Sequence, residues 1–190
     1  MIWIGNFLLV LVVEYVQNIP FIVGIVLGLA AIKRGLGWWK GLLSMVLGSF
    51  ICAAVITGTE WIKVMGTTRT AGPPDWASVL RNGVIFAVAC GLLLGYILLT
   101  DRLKKPFVAD LVFGVVLGAL VAVVEAMNVP VFLVLLHALG FAASGSCLVT
   151  LIRRSAGASS GRALLAWIGV ITLVMSVLIV AFDYAPFVRG

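Results

Sequence analysis

Glu14-Tyr15-Val16-Gln17-Asn18-Ile19-Pro20-Phe21, read EYVQNIPF, interrupts an otherwise almost wholly apolar run over residues 2–32. Its reading decides whether that run is one helix or two. At a rise of 1.5 Å per residue the run makes about 46 Å of helix. The hydrocarbon core of a bilayer is about 30 Å thick. A single upright helix is therefore too long by roughly half and leaves its first ten or so residues apolar in water. Two short helices leave nothing greasy exposed. On that reading Asn18 is an N-cap and Pro20 occupies the first turn of a second helix, where its missing N–H is not needed. The expectation is a hairpin turning at Asn18-Ile19-Pro20, and the alternative is one long helix kinked at Pro20.

Composition makes the bilayer the right frame. Of 190 residues, 63% are hydrophobic and 11% charged, with a mean hydropathy of +1.25. Soluble domains carry about 25% charge. With so little polar surface the chain is expected to be an integral membrane protein. Backbone groups in hydrocarbon must be paired internally, which leaves helices or a closed barrel. Barrel strands alternate apolar and polar residues, whereas here the apolar runs are continuous, so the fold class is all-α. Further spans are predicted at 38–62, 82–100, 106–127, 129–152 and 163–182, giving seven transmembrane segments, or six if residues 2–32 form one. Residues 1–190 form a single bundle without a soluble domain.

The net charge of +6 does not indicate nucleic acid, because the basic residues sit in short loops between apolar segments. Three such loops, 33–40, 101–105 and 153–162, hold nine of the thirteen Lys and Arg residues. The positive-inside rule places them in the cytoplasm of a multi-pass cell-membrane protein, with loop 63–81 and the C-terminus outside. Cys52, Cys90 and Cys147 fall inside apolar segments without a CxxC pair and read as small buried hydrophobes. The opening MIWIGNFLLVLVV lacks a basic n-region and a small-residue cleavage site, so it reads as a retained segment.

The octet has a partner, Glu125-Ala126-Met127-Asn128-Val129-Pro130-Val131-Phe132. Both run from a carboxylate to Asn, a β-branched residue, Pro and, at once or one residue later, Phe. After each, an apolar stretch ends at Ile-basic-Arg, as Ile32-Lys33-Arg34 and Ile152-Arg153-Arg154. Because full-length spans flank Asn128-Val129-Pro130, a hairpin is expected there, and the likeness argues for one at Asn18. The implied plan is a 3+1+3 pseudo-repeat of units 1–62 and 106–187 around a linking span at 82–100, as parallel repeats occur in some transporters.

Seven segments place Glu14, Glu60, Glu125 and Asp183 at outer helix ends, three of them followed by an interfacial aromatic. Asp110 lies one turn into its helix from the inner side, with Arg102 or Lys104 as the expected partner. His137, the sole histidine, shares a helix face with Gly140, Ser144 and Cys147. It has no Cys or carboxylate at helical spacing with which to hold a metal. Ser144 lies about 10 Å of rise from His137 and cannot be activated by it. Gly24/Gly28, Gly91/Gly95 and Gly114/Gly118 are small-xxx-small pairs suited to close helix packing.

No catalytic signature is present: no HExxH, GxSxG, CxxC or P-loop, and hence no expected catalytic residue, metal or cofactor. The leading expectation is a transporter or channel, or its membrane subunit, for a small solute or ion. Its pathway residues would be Glu14, Asn18, Glu60, Asp110, Glu125, Asn128, His137, Ser144 and Asp183. The rival is a non-catalytic accessory subunit of a membrane complex. The expected partners are the lipid bilayer, other membrane subunits or a second copy.

Overall fold

The computed structural model describes residues 2–65, 75–125 and 131–184, all of them in helices or the short loops between them. The helices are α1 (Ile2–Lys33), α2 (Trp38–Met65), α3 (Trp76–Thr100), α4 (Pro106–Glu125), α5 (Val131–Ser155) and α6 (Gly161–Tyr184). Five carry stretches long and apolar enough to cross a membrane: Leu8–Lys33, Trp38–Thr59, Trp76–Thr100, Val134–Ser155 and Gly161–Val180. In α4 the corresponding stretch, Pro106–Leu120, is shorter. Side chains such as Leu92, Leu99, Leu139 and Leu165 point outward all round the bundle, the pattern of a protein solvated by lipid.

The octet does not turn. α1 runs unbroken through Asn18, Ile19 and Pro20, so the described residues form six helices and not the expected seven. Two physical facts explain the difference. A proline inside a helix removes one donor from the ladder, but such breaks are tolerated where neighbouring groups supply bonds. The carbonyl that Pro20 leaves without its helical donor is that of Val16, and on either side of it side chains add bonds: the Asn18 side-chain amide donates to the Glu14 carbonyl at 2.8 Å. The Cys52 thiol of α2 donates to the Gln17 carbonyl at 3.2 Å. The length objection also assumed an upright helix. Leu8–Lys33, the apolar span within α1, is about 39 Å long, and a span longer than a core of about 30 Å is accommodated by tilting.

The partner motif is described only at its two ends. Glu125 ends α4 and Val131 opens α5, while Asn128-Val129-Pro130 lies outside the described residues. The first copy is therefore helix interior, whereas the turn expected in the second copy falls on residues 126–130, outside the described residues.

Packing follows the small residues. α1 and α2 cross where Gly24 and Gly28 meet Gly41, Ser44 and Gly48. A Cβ on Gly48 would come within 2.5 Å of the Pro20 carbonyl oxygen and 2.7 Å of the Gly24 Cα. α4 and α5 pack in the same way, with Gly114 and Gly118 against Ala138, Ala142 and Ser146. The third pair differs: Gly91 and Gly95 of α3 face open space. Cys52 and Cys90 are buried as expected, but Cys147 is exposed on α5.

Neighbour relations run α3, α2, α1, α6, α5, α4. The core centres on Ile22, Ile25, Val26 and Leu29 of α1, joined by Met45, Ile97, Ile152 and Ile171. The ring closes only weakly. α4 meets α3 through Tyr96, whose hydroxyl donates to the Ala109 carbonyl and whose ring lies 4.9 Å from that of Phe113.

Candidate functional site

The densest polar constellation among the described residues lies at the end of the bundle that carries the 33–38, 100–106 and 155–161 connections. Arg153, in the last turn of α5, reaches across to α4 and α3. Its Nη2 donates to Asp110 Oδ1 at 2.6 Å and its Nε to Oδ2 at 3.2 Å. This two-point fork matches a guanidinium to a carboxylate. The same side chain donates to Thr100 Oγ1 at 2.8 Å, to the Ile97 carbonyl at 3.2 Å, and to the Asp101 carboxylate. Thr150, one turn before Arg153, donates its hydroxyl to Asp110 Oδ2 at 3.0 Å.

The cluster is graded in depth. Asp110 is 1% exposed and the Arg153 side chain 10%. Lys33, which pairs with Asp101 at 2.6 Å, and Asp101 itself are each 27% exposed. Burying an ion without a partner costs several kcal/mol, so Asp110 is tenable only because Arg153 and Thr150 saturate it. Lys33 then ties the end of α1 to the α3–α4 connection. A further cation stitches the remaining loops: Arg34 Nη2 donates to the Ala158 carbonyl at 2.7 Å.

Asp110 was expected to pair with Arg102 or Lys104 of its own loop; its partner is Arg153, 43 residues away in sequence. The reason is geometric. Asp110 faces α5 across the glycine-lined α4–α5 seam, while Arg102 and Lys104 sit on the exposed loop. Arg153, Lys33, Asp101, Thr100 and Thr150 were not anticipated. In the sequence Arg153 reads only as an orientation signal; its position opposite a buried acid is what distinguishes it.

The other candidate residues do not join this cluster. His137 is buried on α5 but lies about 24 Å of helix rise from Arg153. Ser144, also buried, donates its hydroxyl to the Phe141 carbonyl at 3.2 Å. Glu14 is half-buried and lies about 28 Å up α1 from Lys33. Asn18 is buried beside Gln17, whose amide donates to the Thr59 hydroxyl of α2. Asn128 and the side chains of Glu60, Glu125 and Asp183 lie outside the described residues. No group of three metal-ligating side chains occurs among the described residues.

Two open grooves lie on the surface of the described residues. One, of about 540 Å³, lies between α1 and α6 and is lined by Leu11, Val12, Tyr15, Gly169, Val170 and Leu173, among others. The second, of about 690 Å³, lies in the gap between α3 and α4 beside Lys104 and Lys105. No family model, curated protein or solved structure matches this chain.

Proposed function

We propose that this chain is a small membrane transporter, or the membrane subunit of one. In this reading the Arg153–Asp110 cluster latches the α4–α5 hairpin to α3 at the loop end. The observation that carries the reading is a buried forked ion pair in the α4–α5 seam whose arginine also reaches Ile97, Thr100 and Asp101 at the end of α3, a helix that meets α4 mainly through Tyr96. Charges held within membrane segments are expensive and mark pathways, relays or gates by default. A latch is an economical use of one: closed, every donor and acceptor is paired; open, the groups are rehydrated from the loop side. The positive-inside rule puts loops 33–40, 101–105 and 153–162 in the cytoplasm. With six helices, loop 63–81 and both termini then lie outside, and the latch is a cytoplasmic gate. Asn18 and His137 supply polar groups deeper along the bundle, with Glu14 toward the outer face.

The test is flux. Reconstituted in vesicles, the protein is screened against monovalent and divalent cations, anions and small neutral solutes. Arg153→Gln should change the flux of whichever solute moves while helical content stays constant. No flux for any class, together with stable co-purification with another membrane protein, would replace the reading with the accessory-subunit one. That rival is favoured by the two apolar grooves, which open sideways toward lipid.

A further inference from the structure

We infer that the gap between α3 and α4 binds one anionic phospholipid, its phosphate on Lys104 and Lys105 and its acyl chains in the adjoining groove. The inference rests on insertion of the bundle in a bilayer, and not on whether the protein transports anything.

The gap exists because two consecutive helices fail to pack along their lengths. α4 gives its small face, Gly114 and Gly118, to α5, and turns Val108, Val112 and Val116 outward. Gly91 and Gly95 of α3 face open space. What remains is a groove of about 690 Å³ whose walls include Tyr96, Leu103, Val108 and Val112, with Lys104 and Lys105 at its loop end. That volume falls within the roughly 300–1,000 Å³ of small-molecule sites.

Charge selects the occupant. The loop carries one acid, Asp101, and that acid is already engaged by Lys33 and Arg153. Lys104 and Lys105 have no carboxylate partner among the described residues. Two uncompensated ammonium groups therefore border a lipid-facing apolar trough, complementary to a molecule with an anionic head and two hydrocarbon tails. Basic pockets between transmembrane helices bind such headgroups. The start of α4 adds to this, because its dipole favours an anion there. The α1–α6 groove is an internal control: it is lined without any charged residue and should accept lipid tails without regard to headgroup.

Two lysines near a phosphate favour an anionic lipid by about fivefold each, or about 25-fold together at low salt. The experiment is native mass spectrometry of the detergent-purified protein titrated with phosphatidylglycerol or phosphatidylcholine of the same acyl chains. The parent should retain one phosphatidylglycerol at concentrations where phosphatidylcholine is lost. K104Q/K105Q should bring the two lipids to parity. Val112→Trp, which fills the groove, should remove the tight adduct, and Val170→Trp in the α1–α6 groove should leave it. All four side chains are exposed, so the variants should fold; unchanged helical circular dichroism checks this, and K104Q and K105Q singly give a second reading. Equal retention of both lipids by the parent would overturn the inference. So would preference surviving K104Q/K105Q, competition by inorganic phosphate alone, or a second copy of the chain occupying the gap.

Discussion

Replacing Arg153 by methionine removes the cation from a carboxylate that is 1% exposed. Asp110 would keep one side-chain donor, the Thr150 hydroxyl at 3.0 Å. Three contributions set the expected loss. Stranding a buried charge by deleting its partner costs about 3–5 kcal/mol. The contact to Asp101, a group 27% exposed, is worth at most about 1 kcal/mol after solvent screening. The arginine stem is replaced by a methionine of similar length, so lost packing adds little. Arg153→Met should therefore destabilise by about 3–5 kcal/mol, nearly all of it from the uncompensated Asp110.

That attribution can be isolated. In Asp110→Leu/Arg153→Met the stranded charge is gone, and replacing a buried pair by apolar residues is often close to neutral. The double variant should lie within about 2 kcal/mol of the parent, more stable than Arg153→Met alone. Equilibrium unfolding in mixed micelles, followed by helical circular dichroism and tryptophan fluorescence, measures all three proteins. A double variant as unstable as Arg153→Met would refute the reasoning, because the cost would then come from Arg153's other contacts. A loss under about 1 kcal/mol for Arg153→Met would refute it too.

Other outcomes follow from the same contacts. Gly48→Ala should cost about 1–3 kcal/mol, since its Cβ meets the backbone of Pro20 and Gly24 and the helices must part. Gly95→Ala, with nothing within 4 Å of the added Cβ, should be neutral or gain up to about 1 kcal/mol in helix propensity; micelle unfolding compares them. Asn18→Cys should resist a membrane-impermeant maleimide from both faces, because Asn18 is buried within α1; rapid labelling from one face would restore the hairpin. Asp75 caps α3 through the Ser78 hydroxyl at 2.9 Å and the Ala77 N–H at 3.0 Å, and these donors, the Ser78 bond foremost, hold its carboxyl below the usual carboxylate value. A carboxylate so lowered contributes its stability above its unfolded pKa and loses it as pH falls through the folded one. The melting temperature gap between parent and Asp75→Ala should be full at neutral pH and close in acid below pH 4.

The helical class and the basic loops were legible because they depend on local runs of composition. The octet was misread for want of its neighbour. Whether Pro20 ends a helix depends on what meets the interrupted ladder, and the thiol of Cys52 and the close approach of Gly48 belong to α2. The Asp110 partner was more accessible than it looked. Gly114 meets Ser146 and Gly118 meets Ala142, each step of four up α4 matching four down α5. One further step sets Asp110 opposite Thr150, with Arg153 a turn beyond. The seam's register thus names the partner, whereas proximity in sequence pointed to Arg102 and Lys104. The third glycine pair, Gly91/Gly95, carried the same signal as the other two, and no property of α3 alone says that its face is left uncovered.

Counting basic residues for orientation treats them as interchangeable, and their contacts separate them. Lys33, Arg34 and Arg153 are consumed by Asp101, the Ala158 carbonyl and Asp110, so each ties one helix end to another. Lys104 and Lys105 stand at a groove, with no carboxylate partner among the described residues. Arg153 in the first group is bound by geometry: an arginine fork reaching two carboxylate oxygens, a hydroxyl and a carbonyl cannot be exchanged for a point charge. The second group acts by charge alone and responds to salt and headgroup. A single loop end therefore combines a fixed internal clasp with an adaptable contact to its solvent. Both sit on the flanks of α4, which packs along its length on α5 and only weakly on the rest of the bundle. Whatever shifts α4 must alter the clasp and the α3–α4 groove together, because Asp110 holds one and Val108 and Val112 line the other, with Thr100 taking part in both.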